Sequence, residues 1–156
     1  MGLMVDLDEA AAQKILAVNV LAGLGWACQM HRVFDMTTTG AIVSVSSYAT
    51  IRPSSGIGMY GVSEAALTQL TKKLALELAP HIRVNAVTPA LIETEFASAL
   101  YGDHKEEIAA TYPLGRIGRP SDVASAIAFL ASDSSGRITG ETLLLDGCLS
   151  LTGGVG

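Results

Sequence analysis

Charge is scarce in this chain: 16% of its 156 residues are charged and 49% are hydrophobic, against roughly 25% charged in an average soluble domain. That is too little charge for the surface of an ordinary monomer, so some apolar faces expect a partner or a further part of the same fold. Basic residues stand singly apart from Lys72-Lys73, and the net charge is −5. Nucleic acid and anionic membranes therefore find no electrostatic footprint here. Cysteine is nearly absent, and Cys28 and Cys148 form neither a disulfide framework nor a metal spacing. A reduced, cytoplasmic setting is the default, with Cys148 expected to be a small buried residue. There is no charged leader followed by a cleavage site, and no apolar run approaches the roughly 20 residues needed to span a bilayer. Internal repeats and low-complexity tracts are also lacking.

A chain of 156 residues reads as one domain and can bury roughly two-thirds of its unfolded surface. Asp8 to about Asp35 reads as one long helix, with Asp6, Asp8 and Glu9 favouring its positive end and Thr37-Thr38-Thr39-Gly40 closing it. Ile15, Val18, Leu21, Leu24 and Cys28 mark its apolar face. Gly23 and Gly25 weaken its middle, each by about 1 kcal/mol relative to alanine, and imply a backbone packed close against it.

The stretch from Gly40 to Leu78 is the most informative. Ala41-Ile42-Val43-Ser44-Val45 is a short β-branched run ending in Ser46-Ser47, a buried parallel strand that delivers two hydroxyls at its C-terminal end. Open α/β sheets keep their chemistry at that end. Tyr60 then stands at the mouth of a helix over about 60–79, whose Leu67, Leu70, Leu74 and Leu78 recur on one helical face. A strand-end serine and a first-turn tyrosine can therefore face one crevice. Gly56-Ile57-Gly58-Met59-Tyr60-Gly61 matches G-x-G-x-x-G, but it follows the polar loop Arg52–Ser55 rather than a strand, so it is not read as a dinucleotide fingerprint.

Ile82 to Val87 is a second β-branched strand, broken by Pro89-Ala90. Residues 95–113 mix aromatic and charged residues between apolar stretches, which fits a mobile substrate lid. His104, Glu106 and Glu107 read as solvated lid residues. Pro120 starts a helix with Asp122 in its first turn and Val123, Ile127 and Leu130 on its apolar face. The last strand lies at about 141–145.

These residues resemble the short-chain dehydrogenase/reductases, especially the classical branch that includes the ketoacyl-carrier-protein reductases. Asn19 in NVLA, Ser47 in SVSS and Tyr60 in YGVSE fall 28 and then 13 residues apart, as that family's catalytic Asn, Ser and Tyr do. Arg83 to Thr94 resembles the family's strand and nicotinamide loop. Pro113–Asp122 followed by Ile138–Gly147 resembles its C-terminal signature. The resemblance implies catalytic roles for Asn19, Ser47 and Tyr60, with Asn19 holding a water in a proton relay. It implies NAD or NADP as cofactor, contacted through Tyr60, Pro89, Ala90, the backbone of Ile92 and the hydroxyl of Thr94. Thr94 also suits a helix N-cap, because Glu95 and a helical stretch follow. The implied substrate is a small carbonyl or alcohol, and the implied assembly is a homo-oligomer or an association with a related full-length chain, since the first and second long helices correspond to the family's dimerisation bundle. No metal site is expected.

Two departures qualify this. The family's lysine, four residues after its tyrosine, is Glu64 here, and the family's N-terminal glycine-rich half has no counterpart. The expected fold is accordingly the C-terminal half of a Rossmann-like doubly wound parallel sheet, about three strands with flanking helices, in a single incomplete domain over 1–156. Its first strand becomes an open edge. A free tyrosine, with a pKa near 10, is phenolate in only about one molecule in a thousand at neutral pH. A lysine lowers that pKa, whereas an ionised Glu64, one helical turn from Tyr60, raises it. Glu64 can accept hydrogen bonds from ribose hydroxyls. The chain is expected to bind NAD(P) weakly or not at all by itself, and to be impaired as an oxidoreductase or to act as a non-catalytic partner.

Overall fold

Residues 3–35 and 37–152 are described by a computed structural model. Three parallel strands, β1 (Gly40–Val45), β2 (Ile82–Pro89) and β3 (Thr142–Leu145), form one sheet in that order. Gly40 lies opposite Ile82 and Val45 opposite Val87, while Ala86 lies opposite Thr142. The C-terminal ends of β1 and β2 therefore meet at one level. Among the described residues β1 pairs with β2 alone and is an edge, as the sequence implied.

The helices that flank or follow the sheet, short 3-10 turns aside, are α1 (Glu9–Val33), α2 (Gly58–Leu78), α3 (Glu95–Tyr101), α4 (Lys105–Ala110) and α5 (Pro120–Ala131). Parallel strands cannot be joined by a tight turn, and α2 makes the crossover from β1 to β2. Asp8 caps α1 by accepting from the Ala11 amide at 3.2 Å. The start of α5 is fixed by Pro120 at its first position and by Asp122, which accepts from the Arg119 amide at 2.7 Å.

The main core lies between α2 and the sheet. Ile82 and Val84 are fully buried against Ala75 and Leu78, with Phe34, Ile42 and Leu74 at the margin. Each fully buried Ile, Val or Leu side chain contributes about 1.5–3 kcal/mol. Gly40 leaves room for the Phe34 ring where β1 begins, since a Cβ there would sit 2.8 Å from the ring and force it to shift. A second cluster gathers Ala97, Tyr101, Tyr112 and Ile117 beneath the loop that follows β2.

Several expectations change. α1 ends at Val33, within two residues of the expected end, and contains a π-turn at Ala17–Leu21. Its inward stripe runs through Ile15, Asn19, Val20, Gly23 and Ala27, whereas Val18, Leu21, Leu24 and Cys28 are exposed. Gly23 packs against Leu67, but Gly25 has nothing within 4 Å of where a Cβ would be. As a whole helix of 25 residues, α1 is long and apolar enough to cross a membrane by length and composition, which inspection of its short apolar runs does not reveal. Within residues 95–113, read from the sequence as a substrate lid, Tyr101 and Tyr112 are buried. Cys148 is exposed and not buried, and it sits in a left-handed turn (φ 73°) just after the last strand.

Candidate active site

The end of β1 delivers both serines. Ser46 is buried and donates to the backbone carbonyl of Glu64 at 3.3 Å, which ties the strand end to the first turns of α2. Ser47 stays half-exposed and caps the short turn Tyr48–Thr50 by accepting from the Ala49 amide at 3.2 Å. Tyr60 lies in the first turn of α2, 37% exposed. Gly61 behind it lets the helix approach the backbone of Ala49, whose carbonyl oxygen would be 3.1 Å from an added Cβ. The turn that carries Ser47 and the helix that carries Tyr60 are thus in direct contact.

Asn19 comes to the same place from α1. A π-turn widens the helix and often re-aims a side chain at a functional site, and here Asn19 Nδ2 donates to Ser63 Oγ at 2.9 Å and to Glu64 Oε1 at 3.2 Å. Ser63 Oγ in turn donates to the Tyr60 carbonyl at 2.7 Å. Ser46, Ser63 and Glu64 therefore form a buried polar layer under Tyr60 that sequence reasoning missed. Its signal was present: positions 63, 64, 67, 71, 75 and 78 share the helical period of the buried face, and three of the six are polar.

Glu64 is 5% exposed, and its Oε2 is buried without a hydrogen-bond partner among the described residues. Burial raises its pKa above the usual 4.5, opposed by hydrogen bonding to Ser46 and Tyr60. Tyr60 is likewise raised above 10.0, first by burial and then by the Glu64 carboxylate, while the Ser47 hydroxyl works against the rise. The Glu64 carboxylate favours the neutral phenol of Tyr60, and that phenol in turn favours the charged carboxylate against the effect of burial. The arrangement can donate a proton from Tyr60, but no cation among the described residues acts on it to hold the phenolate. Nor does a side chain so deeply buried offer a ribose much surface.

The loop after β2 is the second part of the site. Leu91 and Glu93 are bonded to Gly118, with Gly118 N–H donating to the Leu91 carbonyl at 3.1 Å and Glu93 N–H to the Gly118 carbonyl at 2.8 Å. The intervening Ile92 has its own N–H and C=O turned to the other side, with no partner among the described residues. A donor and an acceptor on one residue match a carboxamide, so the loop fits the nicotinamide end of the cofactor that the sequence implied. Pro89 ends β2, and Ala90 N–H is bound to Leu145 at 3.0 Å. Thr94 caps α3, accepting from the Ala97 amide at 3.1 Å, and keeps its hydroxyl proton for a further acceptor. Two contacts fasten this loop and were not foreseen: Lys105 on α4 is ion-paired with Glu93, and the Tyr112 hydroxyl accepts from the Leu91 amide at 3.3 Å. Lys105 holds the Glu93 carboxyl below its ordinary pKa. His104 pairs with Glu107 at 3.0 Å on the exposed side.

Comparison with known proteins bears on the family and the fold. A family model described as enoyl-(acyl carrier protein) reductase matches residues 1–150. The chain is 40% identical over 149 residues to dehydrogenase/reductase SDR family member 4 of Oryctolagus cuniculus, covering 94% of this chain and 57% of that protein. Among solved structures it is similar to a ligand-free aldohexose dehydrogenase of Thermoplasma acidophilum, with a TM-score of 0.87 and 32% identity, over 99% of this chain and 65% of that one. It is also similar to a gluconate 5-dehydrogenase of Burkholderia cenocepacia in complex with NADP and tartrate, with a TM-score of 0.88 and 25% identity, over 97% and 60% of the two chains. The chain thus spans a little over half the length of the curated relative.

Proposed function

Because the chain belongs to the short-chain dehydrogenase/reductase family, we propose that it carries the substrate and nicotinamide side of an NAD(P)-dependent oxidoreductase acting on a carbonyl or alcohol, impaired by Glu64. The observation that carries this reading is the convergence of Ser47, Tyr60 and Asn19 on one spot through three different elements, with a buried carboxyl where the family has lysine. The cofactor, when bound, supplies or accepts the hydride. Ile92 and Thr94 hold the carboxamide, with Pro89 and Ala90 shaping the loop. Ser47 holds the substrate oxygen, and Tyr60 donates its proton to that oxygen as a carbonyl is reduced. Asn19 orients the Glu64 carboxyl. A phenolate left on Tyr60 is stabilised by no positive charge, so the reverse reaction, which starts from phenolate, suffers most. Residues 1–156 act as one incomplete Rossmann-like domain, and the phosphates of a dinucleotide find no glycine-rich cradle in it.

The test is a full-length chimera carrying a related first half, with and without Glu64→Lys, assayed on a carbonyl substrate. The lysine version is expected to be faster by about 10²-fold or more, the usual worth of a positioned acid or base. Equal rates in two folded chimeras that both bind cofactor would show that Glu64 is tolerated. By itself the chain should show no stoichiometric NADH or NADPH site of low-micromolar affinity in calorimetry, and finding one would overturn this account of cofactor binding.

A second reading is favoured by a different observation. Val18, Leu21, Trp26 and Val33 on α1 and Val45 on the edge strand are exposed, an apolar surface suited to association with a second copy or with a complete relative. On this reading the fragment is an interaction module, and light scattering that gave a clean monomer across a wide concentration range would contradict it.

A further inference from the structure

The segment ahead of α1 has no part in the chemistry described so far, yet it builds a wall beside Tyr60. Met4–Asp6 forms a 3-10 turn. The Met4 side chain lies against Gly58 at the start of α2, where an added Cβ would sit 3.0 Å from the Met4 sulfur. Between this turn, the first turns of α1 and the loop that leads into α2 is an open cavity of about 350 Å³, a size that holds small ligands. Tyr60 itself forms part of its lining, so the cavity is continuous with the candidate active site.

The chemistry of an occupant follows from that lining. Leu3, Met4, Leu7, Ile15, Ile57 and Met59 supply the apolar wall, Asp6 and Asp8 the charge, and no basic residue among those described lines the cavity. The wall is within reach of a ligand, since Leu3, Met4 and Leu7 are all exposed. Asp8 is occupied as the cap of α1, and Asp6 stands exposed in the turn. An apolar chain gains by leaving water for such a wall. A carboxylate or phosphate on the same chain would lose hydration and face two negative charges.

We propose that this cavity receives the non-reacting part of the carbonyl or alcohol substrate, and that it selects apolar compounds without negative charge over anionic ones. Leu7 and Asp6 are the specificity-determining residues, Leu7 through apolar contact and Asp6 through charge. The proposal rests on the oxidoreductase reading of Tyr60 for the occupant's role as substrate, and it depends neither on Glu64 nor on dinucleotide binding.

The experiment labels the methionine methyls with ¹³C and titrates the chain, at fixed ionic strength, with methyl pentyl ketone and separately with its carboxylate analogue, in which the terminal methyl is replaced by a carboxylate. Saturable shifts of the Met4 and Met59 methyls are expected with the ketone, while Met30, outside the cavity, stays unmoved. The carboxylate analogue should bind about tenfold more weakly or worse. Leu7→Ala should weaken the ketone by about fivefold, and the exposed Asp6→Lys should narrow the gap between the two ligands. Circular dichroism checks that each variant is folded. In the full-length chimera, Leu7→Ala should lower kcat/KM for methyl pentyl ketone about fivefold more than that for acetone, which is too short to reach the wall. A chimera without turnover would count against the oxidoreductase reading, and the methyl titration tests the cavity without it. The absence of saturable shifts at Met4 and Met59, or equal shifts at Met30, would overturn the proposal. So would equal affinities for the ketone and its carboxylate analogue in the native chain, or equal losses for the two ketones in the chimera.

Discussion

On the α5 side of the molecule, the Arg83 guanidinium donates to the Leu130 carbonyl at 2.8 Å, to Ser135 Oγ at 2.8 Å and to the Ser132 carbonyl at 3.0 Å. Asn85, fully buried, donates to the Ile138 carbonyl and accepts from the Glu141 amide. On the α1 side, Trp26 is 75% exposed and Val33 78% exposed, and Ala27 is the one buried residue of that helix among those described. The first region closes on itself, with its polar groups paired across the strand, the turn and the helix end. The second exposes side chains that cost free energy in water, roughly 25 cal/mol for each Å² of apolar surface. The contrast locates stability in the C-terminal layer and the exposed apolar surface on α1 and the edge strand.

The sharpest way to break that contrast is Arg83→Ala. It removes the guanidinium that bridges the helix end and the turn after it in the closed region, and a loss of about 3 kcal/mol is expected in denaturant unfolding. A change no larger than that of a surface substitution would mean that water replaces the guanidinium and that the region is not closed. On the other side, the double variant Leu21→Lys with Trp26→Lys should leave unfolding free energy within about 0.5 kcal/mol. Self-association by light scattering should weaken by about tenfold or more, or about 1.4 kcal/mol. Unchanged association would move the interface elsewhere.

Two pH dependences sharpen the comparison with smaller effects. The Glu64 carboxyl is raised above 4.5 by burial, so the folded chain keeps a proton that the unfolded chain has released. Its stabilising contribution is complete below the unfolded value and is lost as pH rises through the folded one. The urea midpoint should decline over that rise in the native chain and decline less in Glu64→Gln. Asp122 behaves oppositely. Hydrogen bonding to Arg116 and to the Arg119 amide lowers it from 3.8 to about 2, so its contribution is present above the unfolded value and is lost as pH falls toward the folded one. A flatter acid limb in Asp122→Asn is the expected outcome, and an unchanged limb would remove this ion pair from the account.

The three strands were legible because β-branched runs punctuated by Gly and Pro have few other readings, and their observed bounds lie within a residue or two of those expected. The start of α5 was legible for the same local reason, Pro followed by Asp. Long-range geometry was not. The run Ile82–Val87 contains Arg83 and Asn85, and nothing in the sequence says that their side chains bind the segment 130–141 across the sheet. For α1, the apolar residues at helical spacing suggested a buried face, yet the π-turn at Ala17–Leu21 rotates Asn19 inward and leaves Val18 and Leu21 outside. In the site, the positions of Ser47 and Tyr60 followed from element order alone. The layer beneath them, Ser46, Ser63 and Asn19 around Glu64, depends on which polar groups a packed helix covers, and a leucine count on α2 conceals it.

The central claim is that Glu64 keeps Tyr60 a neutral phenol where the family's lysine would favour the phenolate. Its most direct test follows the ¹³Cζ resonance of Tyr60 through a pH titration of the chain labelled at tyrosine, native, Glu64→Gln and Glu64→Lys, each checked for folding. The account predicts a Tyr60 pKa above the ordinary 10.0 in the native chain, lower in Glu64→Gln and lowest in Glu64→Lys. A native Tyr60 that titrates at or below that ordinary value, unmoved by either substitution, would contradict it.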